Sequence, residues 1–138
     1  MLKNKSLRIT EIFSSIQGET SKIGLPTIFI RLTGCPLRCQ YCDTSYAFYG
    51  GEIMFFEDII HQVKQFNYKD VCVTGGEPLA QPNSKQLLKD LVDLDFQVSL
   101  ETGGSINIEG IDERVKIIMD IKTPDSGELT KNRWKNIE

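Results

Sequence analysis

The chain has 138 residues, of which 40% are hydrophobic and 25% are charged, as in an ordinary globular protein. A formal net charge of −3 argues against a nucleic-acid groove or an anionic membrane surface as the partner. No apolar run approaches the ~20 residues of a membrane span, and no secretory signal follows Met1. We therefore expect one cytoplasmic domain over residues 1–138.

The N-terminal part of the chain predicts two strands separated by a polar loop. Residues 7–13 alternate apolar and polar side chains, which predicts a half-buried strand. A polar loop is expected over residues 14–20, and residues 27–32 are apolar enough for a central strand. Arg31 is the exception in that strand, because a buried guanidinium requires an anionic partner, either a structural carboxylate or one that belongs to a ligand.

Three cysteines lie in one short loop directly after this strand. Cys35, Cys39 and Cys42 form a C-x3-C-x2-C pattern, which brings three thiolates to one point. A four-iron cluster normally takes four Cys ligands, so three would leave one iron open for a small molecule. Zinc is the alternative, with Cys72 or His61 as a fourth ligand. Zinc sites usually pair C-x2-C modules, however, so the spacing favours an iron–sulfur cluster.

The chain after the cysteines predicts helices that alternate with short strands. Residues 45–53 predict a loop, and from Met54 onward apolar residues recur at helical spacing. A second amphipathic helix follows, which Ser84 would cap. The predicted strands of this part are residues 68–74, 96–100 and 115–119.

Polar clusters follow the predicted strands. Because ligand sites in parallel α/β sheets lie at the carboxyl ends of the strands, we expect these clusters to form a single active site. Gly75 and Gly76 would let a ligand approach bare backbone, and Glu77 could accept a hydrogen bond from an ammonium group. Cys72 is expected in the core and His61 on a solvated helix face. The clusters are the cysteine loop and residues 75–77, 101–102 and 120–122.

The cysteine loop, followed one helix later by the Gly-Gly-Glu sequence, resembles the radical S-adenosylmethionine (SAM) enzymes. The resemblance implies a [4Fe–4S] cluster on the three cysteines, with SAM bound at the open iron. It also implies an α/β fold, a partial (β/α) barrel of parallel strands with crossover helices, which is incomplete in this chain. The implied SAM contacts are Tyr41, Cys42, Asp43, Gly76, Glu77, Thr102, Asp120 and Lys122.

Within that superfamily, the loop at residues 16–19 and Arg31 are similar to those of the 7-carboxy-7-deazaguanine synthases. The resemblance implies conversion of 6-carboxy-5,6,7,8-tetrahydropterin to 7-carboxy-7-deazaguanine, a step of queuosine-precursor biosynthesis. Hydrogen abstraction from C6 would lead to ring contraction with loss of ammonia. The family also implies Mg²⁺ at Thr44. The implied substrate contacts are Ile16, Gln17, Gly18, Arg31 and Thr74.

The implied partners are a small pterin substrate and an electron donor such as flavodoxin or ferredoxin, with no nucleic acid and no membrane. A homodimer is compatible with the sequence. Two alternatives stay open. One is a short radical SAM activase that makes a glycyl radical on a partner enzyme, and the other is a zinc-bound structural domain. The loop at residues 16–19, together with Arg31 and Thr44, favours a small anionic substrate over the activase.

Overall fold

The computed structural model describes residues 5–138 and contains one six-stranded sheet with the strand order β3-β1-β2-β4-β5-β6. Strands β2, β4, β5 and β6 are parallel, whereas β1 runs antiparallel to both β2 and β3. The sheet is not closed, so the predicted partial barrel is confirmed. The strands are β1 Ser6–Ile16, β2 Pro26–Leu32, β3 Glu52–Phe55, β4 Asp70–Gly75, β5 Gln97–Thr102 and β6 Lys116–Met119, and the helices are α1 Phe56–Lys64 and α2 Ser84–Asp93.

The main hydrophobic core lies between the sheet and the two helices. Alternate residues of β2 (Ile28, Ile30 and Leu32) are fully buried in it. Phe29 and Arg31 therefore lie on the other face of the strand. Burial of each large aliphatic side chain contributes about 1.5–3 kcal/mol, so this layer fixes the strands whose ends carry the polar clusters. The fully buried helix residues are Phe56, Ile59, Val63, Leu87, Leu88 and Leu91.

Two boundaries in the N-terminal part differ from the prediction. Residues 14–16 were expected in a loop, but they continue β1 because their backbone pairs with the start of β2, from Ser14 opposite Ile28 to Ile16 opposite Pro26. The predicted loop over residues 45–53 ends earlier than expected, because β3 begins at Glu52 and pairs with β1. The first helix accordingly begins at Phe56 and not at Met54.

The predicted cap of the second helix is wrong. Ser84 is the first residue of α2, and its buried hydroxyl has no hydrogen-bond partner in the described part of the chain. Asn83 precedes the helix, but its side chain donates to the Ser6 carbonyl at 3.1 Å and caps nothing. A loop without an α-helix connects β5 to β6. No helix within residues 5–138 is long and apolar enough to cross a membrane.

Candidate active site

A cavity of about 1060 Å³ lies at the carboxyl ends of β2, β4, β5 and β6. One predicted contact, Ile16, is not in its lining, and the Ile16 side chain is 58% exposed at the end of β1. The structure brings all the other predicted site residues to this one cavity. They are Gln17, Gly18, Arg31, Cys35, Cys39, Tyr41, Cys42, Asp43, Thr44, Thr74, Gly76, Glu77, Thr102, Asp120 and Lys122.

Backbone hydrogen bonds from the Gly-Gly-Glu segment hold the start of the cysteine loop. The Glu77 amide donates to the Gly34 carbonyl at 2.8 Å, and the Gly76 amide donates to the Leu32 carbonyl at 3.2 Å. A Cβ atom on Gly76 would lie 2.2 Å from the Gly34 oxygen. The sequence argument gave this glycine the role of letting a ligand approach. In the fold, glycine is needed at position 76 because two backbone segments approach each other closely there.

Arg38 braces the turn between the first two cysteines. Its Nη1 atom donates to the Leu37 carbonyl at 2.6 Å and also to the Cys35 carbonyl. The guanidinium lies 4.0 Å from the ring centroid of Phe48, within the distance of a cation–π contact. Arg38 therefore fixes the loop both internally and against Phe48, which follows it in the chain.

The three cysteines of the loop are free thiols on the cavity wall. Cys35 and Cys39 are half-buried, Cys42 is exposed, and burial raises the pKa of Cys35. Within residues 5–138, no three His, Cys, Asp or Glu side chains converge as ligands of a single metal ion. In a four-iron cluster each cysteine binds a different iron. Three free thiols on one cavity wall are the ligands that three irons of such a cluster would require.

Neither of the two residues considered as a fourth zinc ligand lines the cavity. Cys72 is fully buried in β4, as predicted, and burial raises the pKa of its thiol to about 12. His61 is exposed on α1, also as predicted, and its ring hydrogen-bonds to Gln65, the residue that follows the helix.

Glu77 is a buried carboxylate with a nearly complete set of donors. Its Oε1 atom accepts from the Thr102 hydroxyl at 2.6 Å, and its Oε2 atom accepts from the Gly103 amide at 2.8 Å. Burial raises the pKa of Glu77, while these hydrogen bonds and the charge of Lys122 oppose the rise. The hydrogen bond from Thr102 to Glu77 therefore connects the end of β5 to the segment that follows β4, at the wall of the cavity.

Arg31 has the structural carboxylate that its burial requires. Its Nε atom donates to Glu11 Oε1 at 2.8 Å, and the Tyr46 hydroxyl donates to the same oxygen at 2.7 Å. Sequence reasoning required a partner for Arg31 but did not identify Glu11. Glu11 is directly opposite Arg31 in the β1–β2 pair, so both side chains lie on the same face of the sheet. The sequence contains this carboxylate, but its pairing with Arg31 depends on the strand register.

A second polar pair lies beside Arg31 on the neighbouring strands. The Thr74 hydroxyl donates to Glu101 Oε2 at 3.1 Å, and both residues line the cavity. Burial raises the pKa of Glu101. Its Oε1 atom is buried and has no hydrogen-bond partner in the described residues. Glu101 thus adds a carboxylate to the cavity wall beside Thr74.

Lys122 is buried at the end of β6, where the chain leaves the sheet. Burial lowers the pKa of Lys122, but its hydrogen bond to Asp120 and the surrounding negative charges raise that pKa by more. Asn132 holds the backbone of Lys122 on both sides: Lys122 N donates to Asn132 Oδ1 at 2.8 Å, and Asn132 Nδ2 donates to Lys122 O at 2.7 Å. No motif in the polar C-terminal segment pointed to Asn132.

Thr44 precedes a short 3-10 turn at Ser45–Ala47, but its side chain does not cap that turn. The hydroxyl donates instead to Asp43 Oδ1 at 2.6 Å. The predicted magnesium residue therefore stands next to a carboxylate, and the two together offer hard oxygen donors at the cavity wall.

The model of the radical SAM superfamily matches residues 29–126, a segment that contains the cysteine loop and the Gly-Gly-Glu sequence. The chain belongs to the radical SAM superfamily. Its superfamily membership implies an iron–sulfur cluster and SAM as cofactors. The superfamily segment also includes the ends of β5 and β6, which form the far wall of the cavity.

Among curated proteins, this radical SAM chain is 48% identical over 126 residues to the 7-carboxy-7-deazaguanine synthase of Chlorobaculum tepidum. It is 44% identical over 125 residues to the protein of the same name from Thermoplasma acidophilum. The alignments cover 91% and 89% of this chain, but only 57% and 59% of the two relatives. The crystal structure of QueE from Escherichia coli matches with a TM-score of 0.74 at 26% identity, covering 84% of this chain and 60% of that chain. The resemblance predicted from the sequence is confirmed.

Proposed function

We propose that this chain acts on 6-carboxy-5,6,7,8-tetrahydropterin and converts it to 7-carboxy-7-deazaguanine. One observation carries the proposal: a single cavity is lined both by the three-cysteine loop and by Arg31, a cation suited to a carboxylate. The relatives at 48% and 44% identity bear the name of this activity. The chain spans less than two thirds of the length of these relatives, so their activity is a proposal for this chain. We also propose that residues 1–138 form one domain.

The cofactors would be held on the side of the cavity formed by the cysteine loop. Cys35, Cys39 and Cys42 would bind the cluster, and Glu77 would accept a hydrogen bond from the amino group of SAM. Bound together, the cluster and SAM supply the one-electron chemistry that removes a hydrogen atom from the substrate. The other SAM contacts we propose are Tyr41, Asp43, Gly76, Thr102, Asp120 and Lys122, all of which line the cavity.

The substrate would lie toward β2 and β4. Arg31 would bind the pterin carboxylate, because its guanidinium can donate two parallel hydrogen bonds. Thr44 would hold Mg²⁺ against the same carboxylate. Glu101, with its unpartnered buried oxygen, offers an acceptor for an N–H group of the pterin ring beside Thr74. The remaining substrate contacts we propose are Ile16, Gln17 and Gly18.

Iron analysis tests the cluster part of the proposal. Anaerobically reconstituted protein should contain about four irons per chain. Replacing Cys35, Cys39 or Cys42 with Ala should abolish the cluster absorbance. Cys72→Ala is the matched control and should leave it unchanged, because Cys72 is fully buried and does not line the cavity. Loss of the cluster in Cys72→Ala alone would contradict the ligand assignment.

An isotope experiment tests the reaction. The 138-residue chain, and a version extended with the C-terminal part of the Chlorobaculum tepidum relative, are incubated with SAM, flavodoxin or ferredoxin as reductant, and 6-carboxytetrahydropterin deuterated at C6. Deuterium should appear in SAM or in 5′-deoxyadenosine. No transfer in the extended version, with a glycyl radical formed on a large partner enzyme instead, would favour the activase.

A further inference from the structure

The environment of Arg31 is built from three side chains that the proposed reaction does not use. Glu11, Phe13 and Tyr46 surround its guanidinium, and none of the three lines the cavity, whereas Arg31 does. The Arg31 Cζ atom lies 5.8 Å from the ring centroid of Phe13 and 5.6 Å from that of Tyr46. The side chains that hold the guanidinium are therefore distinct from those that line the cavity.

One nitrogen of the Arg31 guanidinium is used in a hydrogen bond within the described part of the chain, and the other two are not. Only Nε is used, by Glu11, and no group in residues 5–138 accepts from Nη1 or Nη2. The Arg31 side chain is 15% exposed and that of Glu11 is 38% exposed. Two donors of a planar guanidinium thus stay free in a mostly buried setting, at a residue that lines the cavity.

The register of β1 and β2 creates this pair. Glu11 is directly opposite Arg31, so both side chains lie on the same face of the sheet. The register shifts between Ile9 and Glu11, so the residues before the shift pair one position differently from those after it. Such irregularities re-aim side chains in strands that border a site.

We propose that Glu11, supported by the Tyr46 hydroxyl, is a positioning residue that turns the two Nη donors of Arg31 toward the cavity for a carboxylate ligand. The ligand class rests on the proposed function, whereas the orientation of Arg31 does not. The positioning role and the charge of Glu11 predict opposite effects of its removal on the binding of a carboxylate ligand. If Glu11 orients Arg31, its removal should weaken binding. By charge alone, the loss of a carboxylate near an anionic ligand should tighten binding.

Binding of 6-carboxypterin and of unsubstituted pterin is compared by fluorescence titration. Glu11→Ala should weaken binding of the carboxylated compound by about tenfold, because the paired donors of Arg31 lose their fixed direction. Unsubstituted pterin should bind as before. Combining Glu11→Ala with Arg31→Met should weaken binding no more than Arg31→Met alone. Glu113→Ala, which removes an exposed carboxylate, is the control for charge and should change neither affinity.

A second measurement needs no ligand. In protein with ¹⁵N-labelled arginine, the Nε–H signal of Arg31, assigned with Arg31→Lys, should exchange slowly with water. In Glu11→Ala it should exchange at least about tenfold faster, since the acceptor is gone. The Nε–H of Arg114, which donates to Asp112 at 2.8 Å, should keep its rate and serves as the internal standard.

The possible outcomes distinguish the positioning role of Glu11 from the proposed pterin substrate. Tighter or unchanged binding of 6-carboxypterin in Glu11→Ala, or an Arg31 Nε–H exchange rate that does not depend on Glu11, would overturn the positioning role. If the wild-type protein binds both pterins equally while the exchange rate depends on Glu11, the substrate proposal is overturned and the orientation of Arg31 is supported.

Discussion

Replacement of Gly76 by Ala should weaken both the fold and the cysteine loop. The added Cβ would lie 2.2 Å from the Gly34 oxygen, 2.7 Å from the Gly34 carbonyl carbon and 3.0 Å from the Cβ of Cys35. Two of these neighbours are backbone atoms, which cannot rotate away as the end of a long side chain would. The cysteine loop and the Gly-Gly-Glu segment must therefore move apart.

The size of the effect follows from that displacement. Overpacking in a well-packed region costs about 1–3 kcal/mol. The movement also strains the hydrogen bonds from Glu77 N to Gly34 O and from Gly76 N to Leu32 O, each with a net value of about 0.5–1.5 kcal/mol. We expect the free energy of unfolding to fall by about 2–5 kcal/mol, with a decrease in Tm of roughly 3–5 °C for each kcal/mol.

Urea unfolding of the cluster-free protein measures this change at a constant m value. Gly18→Ala is the matched control, because a Cβ on Gly18 meets no atom within 4 Å. Its free energy of unfolding should stay within about 0.5 kcal/mol of the wild type. Gly76→Ala should also bind less iron on reconstitution, whereas Gly18→Ala should bind the normal amount. If the two variants unfold at the same urea concentration and bind equal iron, the packing argument is refuted.

Three further predictions concern single side chains. In native cluster-free protein, Ellman's reagent should modify the exposed Cys42 quickly, the half-buried Cys35 and Cys39 more slowly, and the fully buried Cys72 only on unfolding; modification of Cys72 in the native protein would contradict that burial. Asn132→Ala should weaken SAM binding by about three- to tenfold, because Lys122 loses both backbone hydrogen bonds, whereas Asn107→Ala in an exposed loop should not. SAM affinity, measured calorimetrically, should fall as the pH is lowered through the raised pKa of Glu77, because protonation there removes the negative charge that would face the ammonium group. A pH-independent affinity would exclude Glu77 as that acceptor.

Much of the fold was predictable because local patterns determine it. The 3.6-residue period of Phe56, Ile59, Ile60 and Val63 fixes the buried face of α1 wherever the helix packs. The extension of β1 to Ile16 and the short strand β3 were not predictable in this way, since both depend on pairing with distant backbone. Polar residues such as Ser14 and Ser15 carry little strand signal of their own.

The residues of the candidate site likewise differ in how far the sequence predicts them. Residues with distinctive chemistry, such as the cysteines, Glu77 and Arg31, could be found from motifs and from the ends of predicted strands. The residues that support them could not, because Glu11 depends on a register shift and Asn132 on the path of an irregular segment. Of these two, only Glu11 had a signal in the sequence, because Arg31 requires an anionic partner, but the identity of that partner depends on the strand register.

The charges on the cavity wall limit which ligand can bind where. The lining contains five carboxylates and two basic side chains, so the wall has an acidic surplus before any cysteine thiolate is counted. That surplus suits the sulfonium and ammonium groups of SAM and a divalent cation. A carboxylated pterin would be repelled from most of this wall, and its carboxylate could approach only a basic residue or a bound cation. Lys122 is already bound to Asp120, whereas Arg31 keeps two free donors. The carboxylate should therefore bind at Arg31, which leaves the side near Glu77 and Lys122 to SAM.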